Sequence, residues 1–438
     1  MNLAHKILKL RGYPIDLANK KLKEIQILCK NDLATYQHEM KWKIFKFHIT
    51  NNLPYYKFIG SKQIDRWLDI PILTKKDIQL PIEKRLSKGY TINNSHIHNT
   101  SGSTGLPFYF AKDKFSHALS WALIFDRYGH HNIINGKDLQ ARFYGIPLDS
   151  KKYLQEKIKD FIFSRIRFPV FDLSDKKLAD YINVFTRKKF IYINGYTSSL
   201  VLMAKFCIKN RIILKNLCPT LLATFPTSEV CDKIDREILE KGFGVPVFNE
   251  YGAAELDLIG FEDNNQNMLL TNETILVEIL DDNNNPVDNG EEGRVVVTSF
   301  FNKAMPFIRY ELGDKAILKN TKEDSYKIID NVTGRINDFA ILPSGKKSAG
   351  LTFYYISKKI LESGGFLKEF IIKQNSINSF HYEYVAERQL NNSEKNQIKE
   401  AMNIYLEKGL NITFERKKKI QRTGSGKLKH FFSNFNHK

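Results

Sequence analysis

FIYINGYTSSLVLMAKFCIKN (190–210), TLLATF (220–225), SEVCDKIDREILEKG (228–242) and VPVFNEYG (245–252) together decide the fold class. FIYINGY is a short β-branched and aromatic run. The Thr/Ser opening and apolar spacing of TSSLVLMAKFCIKN predict a helix behind it. TLLATF, the helical SEVCDKIDREILEKG and VPVFNEYG repeat the pattern. Strand, helix, strand, helix, strand is the signature of βαβ units around a parallel sheet. In open sheets of this kind ligands gather beyond the carboxyl ends of the strands. YGAAE (251–255) follows the last of these predicted strands.

Downstream the pattern changes. TILVEILDD, a turn rich in Asn, Asp, Pro and Gly, and RVVVTSF read as a β-hairpin, so a sheet-rich lobe follows the α/β part. A boundary is expected around GRINDF (334–339), which divides the chain into a core at 1–335 and a small α+β domain at 336–438. Upstream, residues 16–50 mix apolar and Lys/Glu positions at helical spacing, and Thr74 is placed to cap a helix with Asp77 three residues on. The expected class is α/β: a parallel-sheet core, a β-rich lobe and a compact C-terminal domain.

Composition bounds the function. With 438 residues, 42% hydrophobic and 26% charged, the chain is globular in balance and long enough for more than one core. The net charge of +19 favours polyanions such as nucleotides, nucleic acid or anionic lipid, although a lysine-rich surface without a specific partner explains it equally. Peripheral contact with a membrane surface is compatible with this charge. Cys29, Cys207, Cys218 and Cys231 form no C-x-x-C pair and have no His at zinc-ligand spacing, so reduced thiols and a cytoplasmic setting are expected. Lys, Arg and Asp interrupt the N-terminal apolar positions, so no signal peptide is expected, and no run of 18 or more uncharged apolar residues occurs, so no membrane span is expected.

Thr100, Ser101, Gly102, Ser103, Thr104 and Gly105, followed by Leu106-Pro107, lie between the strand-like HIHN and FYF. Glycines let backbone N–H groups approach an anion and the hydroxyls add donors, which is what gripping a polyphosphate requires. A flexible Ser/Gly loop is the plain alternative. TGSGK near the C-terminus is not a P-loop: Gln421 stands where its first Gly is needed and Leu428 where Ser or Thr should be.

TSGSTGLP, YGAAE, RYELGD, GRIND and RTGSGK occur in that order between residues 100 and 427. In order and approximate spacing they resemble the adenylate-forming superfamily of acyl-CoA synthetases, adenylation domains and luciferases. TFPTSEV ahead of FNEYGAAE and the short C-terminal part resemble its phenylacetate–coenzyme A ligase-like branch, nearest in kind to members associated with capsular polysaccharide biosynthesis. The resemblance implies an AMP-forming ligase that uses ATP and Mg²⁺ to turn a carboxylic acid into an acyl-adenylate and passes the acyl group to an acceptor.

The resemblance also implies roles. Residues Thr100 to Gly105 hold the phosphates, Tyr251 with Gly252 adjoins adenine, and Asp314 and Arg335 bind the ribose. Glu255 holds Mg²⁺, a hard cation that takes carboxylate oxygen. Lys427 bridges the carboxylate and the α-phosphate, and Asn337 stands near the hinge about which the small domain turns. The acid pocket is expected around Tyr196, Thr227, Ser228 and Glu229.

Two departures temper this. GFEDNNQNMLLTNE carries neither Cys nor His, so no zinc is expected, and FAILPSGKKSAG lacks the Arg-Gly pattern of coenzyme A ligases. Coenzyme A, an amine and a sugar therefore all stand as acceptors, with a phenylacetate-type acyl-CoA ligase as one alternative. Readings of other classes are a nucleotide-binding regulator without catalysis and a basic nucleic-acid-binding protein. Oligomeric state is not legible.

Overall fold

The computed structural model describes residues 3–60, 63–78, 80–99, 108–146, 150–229, 231–320, 326–333, 339–349, 352–353, 356–357, 367–420 and 431–433. The chain divides into two compact units, each assembled from separated segments. The first comprises 1–100, 108–135 and 250–334, and the second 101–107, 136–249 and 335–438.

In the first unit the helical spacing of residues 16–50 becomes one long helix, Ile15–Asn51, broken at Asp32, whose φ of −157° and ψ of 91° are extended. The Asp32 carboxylate accepts the N–H of Thr35 at 3.0 Å and so caps the helix as it restarts. Leu22, Ile25 and Cys29 pack with Ala118, Leu119 and Ala122 of helix Lys114–Gly129. The main sheet is seven-stranded, in the order Ile275–Leu280, Glu292–Ser299, Tyr310–Leu318, Ile328–Thr333, Met268–Leu270, Asp257–Glu262 and Glu250–Ala253, with every pairing antiparallel. Its first two strands are the expected hairpin. Strands Ser95–Asn99 and Tyr109–Asp113 pair antiparallel, with Asn99 and Tyr109 as register partners.

Arg309 fixes a neighbouring segment against this sheet. Its buried guanidinium donates from Nη1 to the carbonyls of Leu68 (2.9 Å) and Ile70 (2.7 Å) and pairs with Glu278 at 3.3 Å. Leu73 then bridges the sheet, its N–H donating to the Arg309 carbonyl while its own carbonyl accepts from Glu311, both at 2.9 Å. Thr74 donates from N and Oγ1 to Asp77. The expected cap is therefore present, but it closes a turn rather than opening a helix.

His48 is fully buried, one ring nitrogen 2.9 Å from the Asn302 carbonyl and the other 3.2 Å from Ser87 Oγ. Burial pushes its pKa down to about 4, against a raising contribution from the Asn302 bond. The unfolded chain takes up a proton below about pH 6.5 while the folded protein does not until about pH 4. Stability is thus retained above pH 6.5 and lost as the pH falls through this window, by about 1.4 kcal/mol per pH unit for this ring. Denaturant unfolding between pH 7 and 4.5 should show a slope that H48Q lowers by about 1.4 kcal/mol per pH unit, the remainder coming from other buried groups such as His117.

The second unit holds the parallel sheet, ordered Arg165–Phe168, Gln140–Phe143, Tyr192–Tyr196 and Ala223–Thr227. Helices Thr197–Lys209 and Lys233–Phe243 follow their strands as expected. Gly195 lets neighbouring strands close up, because a Cβ there would stand 2.5 Å from the Cβ of Phe143. The last predicted strand, VPVFNEYG, is divided. Val247 makes an isolated parallel bridge to Thr224, whereas Glu250–Ala253 joins the antiparallel sheet of the first unit. Pro246 supplies no N–H, which shortens the parallel pairing.

The C-terminal part of this unit is a four-stranded mixed sheet, Asn411–Arg416, Ser379–Ala386, Leu367–Ser376 and Phe431–Ser433. Helix Asn392–Tyr405, opened by an Asn391/Glu394 capping box, buries Ile398 and Met402 in a core with Phe370 and Tyr382. Among the described residues no helix is long and apolar enough to cross a membrane.

Candidate active site

Two motifs almost 60 residues apart meet on the antiparallel sheet of the first unit. YGAAE supplies strand Glu250–Ala253 and the turn after it, and RYELGD opens strand Tyr310–Leu318. Each motif's tyrosine bonds the other's carboxylate. Tyr251 donates its hydroxyl to Asp314 Oδ2 at 3.1 Å, and Tyr310 donates to Glu255 Oε1 at 2.8 Å. Both carboxylates are buried, Asp314 at 1% and Glu255 at 3% exposure. A carboxylate withdrawn from water this far requires compensation, and here phenol donors provide part of it.

A cation supplies the rest at Glu255. Lys75, set just beyond the bridge at Leu73, places its ammonium 3.2 Å from Oε1. Burial alone would raise the Glu255 pKa. The Lys75 charge, backbone bonding and the Tyr310 hydroxyl outweigh it and hold the carboxyl below its ordinary value. Tyr310 responds oppositely: burial and the adjacent anion drive its phenol well above 10, so it remains a donor.

The turn that carries Glu255 is gripped from outside. Lys112 donates to the Ala254 carbonyl at 3.3 Å and forms an ion pair with Asp257, and Ser120 Oγ donates to the same Asp257 carboxylate. Asp257 takes a left-handed φ of 61°. Gly252 permits the tight geometry, since a Cβ there would lie 2.4 Å from the Asp257 carbonyl oxygen. Lys112, Ser116, Ser120, Glu255 and Asp257 line a small polar cavity.

Tyr251, Gly252, Glu255 and Asp314 thus come together. Tyr251 is 6% exposed and packs with Leu256 and Ile259, with its hydroxyl on Asp314. The other expected pocket residues lie in the second unit, at the carboxyl ends of the parallel strands. Tyr196 and Thr227 are register partners there, and the Tyr196 ring packs on Tyr144 with centroids 4.6 Å apart. Glu229 is engaged structurally, accepting the Ser198 N–H (2.7 Å) and hydroxyl (3.1 Å) at the start of helix Thr197–Lys209. Ser228 beside it has a φ of 68°. Thr100, Ser101, Gly102, Ser103, Thr104, Gly105, Arg335, Asn337 and Lys427 lie outside the described residues.

Sequence reading missed Lys75, Tyr310, Lys112 and Asp257. Tyr310 lay inside a quoted motif, and Lys75 stood next to a residue read only as a cap. Their signal was positional, and it becomes visible only once the strands are paired.

No family model matches the chain. In sequence it is 24% identical over 433 residues to Protein CapK of Staphylococcus aureus, covering 92% of this chain and 90% of that one. In structure it is similar to a 2-hydroxyisobutyryl-CoA ligase solved in an open conformation with 2-HIB-AMP and CoA, at TM-score 0.51 and 15% identity over 91% of each chain. The same ligase in its thioester-forming state gives TM-score 0.51 and 16% identity, over 96% of this chain and 90% of that one. The chain therefore has the fold of the adenylate-forming ligases and is similar along most of its length to CapK.

Proposed function

We propose that this protein is an ATP-dependent ligase that activates a carboxylic acid as an acyl-adenylate, releases pyrophosphate and transfers the acyl group to an acceptor. The observation that carries this reading is the reciprocal pairing of Tyr251 with Asp314 and Tyr310 with Glu255. It brings together two buried carboxylates, Asp314 on strand Tyr310–Leu318 and Glu255 in the turn after strand Glu250–Ala253, one suited to ribose hydroxyls and one to a cation. The ligase of similar fold is itself described with an acyl-AMP and CoA bound.

In this reading Asp314 accepts from the ribose, Tyr251 and Gly252 border the adenine, and Arg335 adds a ribose contact. Residues Thr100 to Gly105 grip the β- and γ-phosphates. Glu255 suits Mg²⁺: it is one deprotonated carboxylate already facing a cation, Lys75, and Mg²⁺ commonly takes one or two protein carboxylates beside substrate phosphates. Mg²⁺ when bound supplies charge neutralisation on the phosphates. Lys427, carried by a small domain at 336–438 that turns near Asn337, neutralises the approach of the acid to the α-phosphate.

A free carboxylate is a poor acyl donor. Its oxygen bonds to the α-phosphorus, the α–β phosphoanhydride bond breaks to release pyrophosphate, and AMP then serves as the leaving group when the acceptor attacks the acyl carbon. The protein's part is to hold two anions in line and stabilise their charge. The acid enters near Tyr196, Thr227, Ser228 and Glu229. The motif resemblance to members associated with capsular polysaccharide biosynthesis favours a sugar as acceptor, with coenzyme A and an amine as the alternatives.

A pyrophosphate-release screen over small carboxylic acids and uronic-acid sugars, first without and then with coenzyme A, tests this. The expected result is acid-dependent pyrophosphate release with AMP as the nucleotide product. Nucleotide binding with no release for any acid would favour a non-catalytic regulator.

A further inference from the structure

Helix Ser150–Ile162 in the second unit is turned inside out. A helix on a protein surface ordinarily buries its apolar stripe and exposes its charges. Here the inward face carries Glu156 and Asp160, one turn apart. Asp160 is 3% exposed. Arg167 on strand Arg165–Phe168 clamps both, donating to the two Asp160 oxygens at 2.8 Å and to Glu156 at 2.9 Å. The outward face carries Leu154 (61% exposed), Ile158 (51%) and Phe161 (77%) at i, i+4 and i+7.

The charges around this stripe have one sign. By helical position Lys157 borders one edge and Lys151 the other, and both are exposed. The helix's two carboxylates are turned toward Arg167, Glu156 also pairing with Lys159, so the stripe is bordered by lysines with Tyr153 and Gln155 exposed beside it. Scattered exposed apolar residues need no explanation, but a contiguous stripe flanked by lysines, on a helix anchored through its charges, does.

We propose that helix Ser150–Ile162 is a docking face for an anionic phospholipid surface. Leu154, Ile158 and Phe161 enter the boundary between headgroups and acyl chains, and Lys151 and Lys157 meet the lipid phosphates. The net charge of +19 acts in the same direction over longer range. A second copy of this chain fits less well, because two such faces set against each other oppose their lysines. A nucleic acid would take the lysines and leave the apolar stripe in water. The buried Arg167 clamp keeps the helix folded before it meets the surface, so little ordering is required on contact.

Co-sedimentation of the full chain with vesicles of phosphatidylcholine alone, and of phosphatidylcholine with a quarter phosphatidylglycerol, at two salt concentrations, tests this. Binding is expected to the anionic vesicles only and to weaken with salt. L154S/F161S should lower the partition coefficient at least tenfold, and K151E/K157E by a similar factor, at about fivefold or more per lysine. Both variants alter exposed side chains, so their thermal midpoints should match the parent. Equal partition of parent and variants, or no binding to anionic vesicles at low salt, would overturn the proposal. So would an oligomer that L154S/F161S dissolves, which would assign the stripe to a second copy.

Discussion

Lys427→Ala is expected to lower acid-dependent ATP–pyrophosphate exchange by about 10²–10³-fold, the usual cost of removing one preorganised charged donor from a developing anion. ATP affinity should stay within a few-fold, because in the proposed reading adenine, ribose and the outer phosphates are held by Tyr251, Asp314 and the 100–105 loop. The substitution separates binding from chemistry. On its own Lys427 is one cation in a basic stretch with Lys417, Lys418, Lys419 and Lys429, and losing a solvated charge would change little. Exchange at the parent rate would return it to that role, whereas a large fall at unchanged ATP affinity would place it at the reacting atoms.

Glu255→Gln is the second large effect. Glutamine keeps the volume and a carbonyl that can still accept from Tyr310, so the buried hydrogen bond survives and the fold should change little in stability. What is lost is the negative charge facing Lys75 at 3.2 Å, and with it the group assigned to Mg²⁺. Adenylation should fall about 10²-fold or more, and the Mg²⁺ concentration for half-maximal rate should rise about tenfold or more. A normal Mg²⁺ dependence in this variant would move the metal elsewhere. A large loss of stability instead would make Glu255 a structural counter-ion to Lys75.

Much of the architecture was legible because it was local. The aromatic and β-branched run ending at 196, the helix at 197–209 and the Asn/Asp/Gly turn between 280 and 292 each carry their own signal and form the elements read, although no Thr or Ser side chain caps that helix. YGAAE and RYELGD were legible as motifs. Their mutual bonding was not, since the Tyr251–Asp314 and Tyr310–Glu255 contacts depend on how strands far apart in the chain are ordered in the sheet. Lys75 was hidden for the same reason: the Leu73 bridge and the Arg309 clamp that position it are tertiary. VPVFNEYG read as one strand because its apolar pattern runs on, yet Pro246 and the change of sheet after Phe248 divide it. Helix Ser150–Ile162 was not read in the sequence, and which of its faces turns inward is decided by a tertiary contact, the Arg167 bond to Asp160.

The central claim is that the acid's own oxygen becomes bonded to the α-phosphorus of ATP. The most direct measurement is a turnover with an acid labelled with ¹⁸O in its carboxylate, followed by mass analysis of the nucleotide product. Acyl-adenylate chemistry predicts AMP carrying one labelled oxygen, alongside unlabelled pyrophosphate. Unlabelled AMP, or ADP with the label in inorganic phosphate, would contradict it.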